Sequence, residues 1–116
     1  MTYSELVASY GDKVIFLGSE EFIPINLSRK FLEDACDQNL GVIGIEIFRI
    51  KNAAIHPRID LIADWSSLLK EKLGLPQTIV KIRQFSLEFL DKAPDDPDFF
   101  ANFCCLSAEK LEESQR

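Results

Sequence analysis

The chain has a single histidine, three cysteines and no apolar run approaching the roughly 18 to 20 residues that a membrane-crossing helix requires. Each shortage closes a class of function. His56 is the only imidazole, and Cys36 stands far along the chain from Cys104 and Cys105, so no metal-ligand spacing exists. No metal and no other cofactor is expected. A Ser–His–Asp or Cys–His arrangement would have to use His56, which lies in a strand-like alternation, and no serine has a glycine-rich elbow beside it. The glycines Gly41 and Gly44 frame a strand entry without the lysine or following helix of a phosphate loop. Basic residues are also scarce, with 13 Lys and Arg against 19 Asp and Glu for a net charge of −6. They do not cluster, which disfavours direct contact with nucleic acid. The opening residues Met1 to Leu6 lack the basic-then-apolar order of a secretory signal. The odd thiol count includes an adjacent pair that would face opposite ways on a strand, a poor basis for disulfides. These absences describe a cytoplasmic protein without membrane contact.

What remains is ordinary globular material. The 116 residues are 47% hydrophobic, with nine Phe, enough for one domain with a core of its own. A helix is expected from Tyr3 to about Tyr10, stopped by Gly11, and then a short apolar run from Lys13 to Leu17. Pro24 and Asn26 break the pattern, after which Ser28 reads as the cap of a helix to about Gln38. Val42 to Ile50 is the clearest strand, apolar on both faces except at Glu46. A short connection predicts a hairpin to Ile55–Asp64, whose alternation places His56, Arg58, Asp60 and Asp64 together and whose Pro57 marks an edge. Asp64 or Ser66 opens the next helical segment, and a stronger helix follows from about Gln77 to Lys92. After an acidic loop, Phe99 to Leu106 reads as a final strand, with a charged tail from about residue 108 expected to fray. The order predicts an α+β fold, a small mainly antiparallel sheet with helices packed on one face.

A few polar residues stand out. Glu46 needs either solvent or a partner, and Arg58 on the next strand is the natural cross-strand cation. Glu46, Arg58 and Asp60 could alternatively form the polar site of a small enzyme or ligand-binding domain. Acidic residues gather on the second helix, at Asp34 and Asp37, and around the late loop, at Asp95, Asp96 and Asp98. Neither group has calcium-loop alternation. They read either as solvated surface or as a recognition patch for a basic protein, whose encounter an acidic field would speed. Trp65, at a strand-to-helix junction, is either core or an interface anchor. The candidate partner-binding set is therefore Asp95, Asp96, Asp98, Asp34, Asp37, Glu46 and Trp65. The edge strand from Ile55 to Ala63 also admits self-association, so the oligomeric state stays open.

In size, acidity and lack of a catalytic set, and in the segment Gly41-Val42-Ile43-Gly44-Ile45-Glu46-Ile47-Phe48 followed by a capped helix and an aromatic strand, the chain resembles small acidic immunity proteins encoded beside bacterial polymorphic toxins. The resemblance implies a cytoplasmic protein that binds one toxin domain and blocks its active site or a nearby surface.

Overall fold

A computed structural model describes all 116 residues, as four α-helices, two 3-10 turns and one five-stranded sheet. Helix α1 (Tyr3–Ser9) starts on a capping box in which Thr2 and Glu5 satisfy each other's backbone N–H. Strand β1 (Ile15–Leu17) and strand β2 (Glu20–Pro24) form a hairpin, followed at once by α2 (Ile25–Asp37). Then come β3 (Gly41–Lys51), β4 (Ala54–Asp64), a 3-10 turn, α3 (Leu75–Leu90), β5 (Phe99–Leu106) and α4 (Ala108–Ser114). All strand pairs are antiparallel, in the spatial order β1-β2-β5-β3-β4, so β3 is interior and β4 is an edge. The α+β expectation holds. No helix is long and apolar enough to cross a membrane.

Strand β2 is the element missing from the pattern read above. It is five residues long and ends on Pro24, whose missing N–H suits the last residue of a strand that turns directly into a helix. Helix α2 accordingly begins at Ile25, three residues before Ser28. Ser28 is fully buried in its first turn, donating to the Pro24 carbonyl at 3.0 Å rather than capping the helix. The β3–β4 hairpin forms as expected, with Asn52 and Ala53 both at positive φ (54° and 62°), the geometry of a two-residue I′ turn.

The main core lies between the sheet and helices α2 and α3. Ile45, Ile47, Ala101 and Phe103 meet Phe31, Leu32 and Ala35 of α2 and Ile82 and Phe89 of α3. Trp65 belongs to this layer: half-buried, it packs on Phe85 and Phe89, and its indole N–H donates to the Val42 carbonyl at 2.8 Å. The other face of the sheet carries no helix. It holds a smaller cluster of Phe22, Ile50 and Phe100, with Ile15, Leu17 and Phe48 against it. The tail from residue 108 is helix α4, held down by a fully buried Leu111 and by Gln115. The Gln115 carbonyl oxygen accepts from Gly74 N–H and the Thr78 hydroxyl.

Candidate functional site

Strand β4 decides what becomes of the polar residues expected around Glu46. Glu46 lies opposite Ile62, and Phe48 opposite Pro57, so residues 58 to 61 bulge out against the single residue Ile47. The bulge leaves Ile59 85% exposed and turns Leu61 into the core. Arg58 is carried to the helix-covered side, its guanidinium 5.6 Å from the centroid of the Phe99 ring and its nitrogens paired with both oxygens of Asp60. Glu46 points from the helix-free face between Ile62 and Asn102 and enters no ion pair. The cross-strand Glu46–Arg58 pair is therefore absent, and Glu46, Arg58 and Asp60 do not converge on one site. Strict alternation along Ile55–Asp64 hid the bulge that separates them.

The second-helix acids are mostly used locally. The Tyr10 hydroxyl donates to Asp34 at 2.6 Å and Lys30 pairs with it at 3.0 Å, holding the carboxyl below the usual range. Burial, with that hydrogen bond second, pushes the Tyr10 phenol upward. Asp37 stays exposed at the helix end. In the late loop, Asp98 sits between Arg49 at 4.0 Å and Lys51 at 3.8 Å, and Asp96 accepts the Asp98 N–H at 2.8 Å. Asp95 is exposed and Asp96 half-buried, and neither has a basic partner.

Asp95 and Asp96 meet at a feature with no local signal in the sequence, an open groove of about 650 Å³ where β1, β2, β5 and the start of α2 come together. Its apolar floor and walls include Ile15, Pro24, Leu27 and Phe100. Asp12, Asp95 and Asp96 stand on its rim with Lys13 as the one cation. A neighbouring concavity of about 440 Å³ shares Ile25, Asn26 and Asp95 with it and adds Arg29 and Asp91, themselves ion-paired. Residues 25 to 27 contribute the first turn of α2, which has no side-chain cap. Backbone donors therefore sit beside carboxylates, next to apolar surface. That combination suits a polypeptide segment, which brings carbonyls, aliphatic stems and basic heads.

The thiols offer little chemistry. All three cysteines are free, and burial pushes the Cys36 thiol up to about 11 and the Cys105 thiol higher, so neither forms a ready nucleophile. No three His, Cys, Asp or Glu side chains are grouped so that they could hold a metal ion. His56 is exposed at the β4 edge. Comparison with protein-family models, with curated proteins and with solved structures finds no match to this chain.

Proposed function

We propose that this protein is a cytoplasmic binding module that captures a basic protein partner, and that the partner is a bacterial toxin domain which it neutralises. The groove carries the reading: an apolar floor with three carboxylates and one lysine at its rim, on a chain of net charge −6. An acidic rim raises the encounter rate with a cationic partner, while the apolar floor supplies the desolvated contact area that slows release. An immunity protein needs both, because it must meet its toxin early and hold it.

The experiment is co-expression. The reading frame adjacent to this one is induced in a bacterial host, alone and together with this protein. Growth arrest by the neighbour alone and recovery with the wild-type chain are expected. The variant Asp12→Lys/Asp95→Lys should recover growth poorly while folding normally, since both positions are exposed and neither side chain holds a backbone group. A harmless neighbour, or full recovery with the charge-reversed groove, would refute the proposal.

A further inference from the structure

The helix-free face of the sheet extends the groove. Its floor residues Ile15, Pro24 and Phe100 are also strand positions on that face, paired to Phe22, Phe100 and Phe48 in turn. Moving away from the groove, the aromatic middle gives way to a row in which Glu46 is flanked by Ile62 and Asn102. In the row beyond, Gly44 is flanked by Asp64 and Cys104. Glu46 and Asp64 are diagonal neighbours on adjacent strands, about 7 to 8 Å apart at their backbones. Gly44 lies between them and is itself buried; a Cβ there would stand 3.0 Å from the Ala63 carbonyl oxygen, a tight contact with the backbone of the neighbouring strand.

Apolar surface is left open along this path. Ile62 is 49% and Ile55 40% exposed, and Phe48 is half-buried. Beyond the groove, whose rim holds Lys13, the charges on this face are of one sign. Asp34, Asp60, Asp91 and Asp98 each have a basic partner, but Glu46 and Asp64 have none, and no strand position sharing their face is Lys or Arg. The band thus runs from carboxylates at the groove, through aromatics, to carboxylates at Glu46 and Asp64.

We propose that this band seats an extended segment of the partner, in which apolar side chains are bracketed at both ends by Lys or Arg. The inference rests on the reading of the protein as a binder of a basic partner, and it names what that partner presents. A second copy of this chain is the wrong occupant, because it would set unpaired carboxylates against unpaired carboxylates. Its approach by edge pairing along β4 is also opposed by Pro57 and by the bulge at residues 58 to 61. From Gly44 to Ile50 the face measures roughly 20 Å at about 3.3 Å per residue. With the groove added, the occupant is an extended stretch of roughly seven to nine residues.

The test uses a nine-residue peptide with three valines alternating with threonine at its centre and two arginines at each end, and a control with glutamate for every arginine. Each is titrated into isotopically labelled protein, and backbone amide shifts are followed by NMR. The arginine peptide should shift Gly44, Glu46, Ile62 and Asn102 saturably, and the glutamate peptide should not. Glu46→Gln/Asp64→Asn should weaken binding roughly fivefold, as loss of exposed charge pairs does, and Ile62→Ser should weaken it similarly. All three positions are exposed, and the spectra report directly that each variant is folded. Shifts confined to the groove, with loss of binding in Asp95→Asn/Asp96→Asn and no effect of Glu46→Gln, would overturn this inference while leaving the basic-partner reading intact. Equal shifts from both peptides, no saturable shift at Gly44 and Glu46, or a concentration-dependent dimer that protects this face would also overturn it.

Discussion

Glu46→Ile should make the protein more stable. Glu46 lies in an interior strand but is exposed, between Ile62 and Asn102, and neither an ion pair nor a hydrogen bond holds its carboxylate. Replacement therefore breaks nothing. It exchanges a poor strand former for one of the best and adds an apolar cross-strand contact with Ile62, which together are worth about 0.5 to 1 kcal/mol. Unfolding entropy near 2.1 cal/mol/K per residue gives a chain of this length about 0.24 kcal/mol/K, so the melting temperature should rise by roughly 2 to 4 °C. Circular dichroism melts and urea titrations with an unchanged slope would measure it. The same variant should lose affinity for a basic partner, the pattern expected where a residue is kept for binding at a cost in stability. A loss of stability of about 1 kcal/mol or more would refute the reasoning, because it would mean that Glu46 holds a structural contact.

Three other changes probe the framework. Leu111→Ala empties a fully buried position that fixes α4, and should cost about 2 to 4 kcal/mol in denaturant titration; a cost below about 1 would mean that α4 is not docked as described. Ser86→Ala should be neutral or stabilising by up to about 1 kcal/mol, since the Ser86 hydroxyl is buried without an acceptor. Tyr10→Phe should flatten the acid limb of the stability curve. The Asp34 carboxyl is held low chiefly by the Tyr10 hydroxyl, with Lys30 second, so its contribution is complete above the unfolded carboxylate value near 3.9 and disappears as pH falls through the lower folded value. The gap between wild type and variant should be full at pH 6 and shrink as pH falls below the unfolded carboxylate value, and a gap that stays constant down the acid limb would contradict this.

Local chemistry made much of this fold readable. The Gly11 stop, the β-branched run of β3, the Asn52-Ala53 turn and the aromatic strand β5 each follow from residues within one element's reach. Strand β2 did not show itself, because it is short, carries two glutamates and ends in proline; it pairs with the adjacent β1, but its second partner, β5, lies far along the chain. The β4 bulge was hidden because alternation records composition, not register: Arg58 and Glu46 stand on neighbouring strands but on opposite faces. The acids followed the same division. Asp95 could be read as exposed from its proline-broken loop, but its place on a groove with Asp12 depends on contacts between distant segments. Asp98 carries the same charge, yet it is paired with Arg49 and Lys51, neighbours that only the fold supplies, whereas the cation beside Asp34 is Lys30, one turn earlier on the same helix.

The central claim is that rim carboxylates steer a basic partner onto this protein. The measurement that tests it most directly is the association rate of the proposed partner, the product of the adjacent reading frame, with wild type and with Asp12→Asn/Asp95→Asn/Asp96→Asn. Asparagine keeps the acceptor that Asp96 offers to the Asp98 N–H, so the loop should be preserved. Salt from about 0.01 M to about 1 M shortens the screening length from roughly 30 Å to roughly 3 Å. Wild type should associate several-fold faster than the variant at low salt, and the two rates should converge at high salt with equal thermal stability. Equal rates at low salt would contradict the claim, leaving these carboxylates as solvated surface.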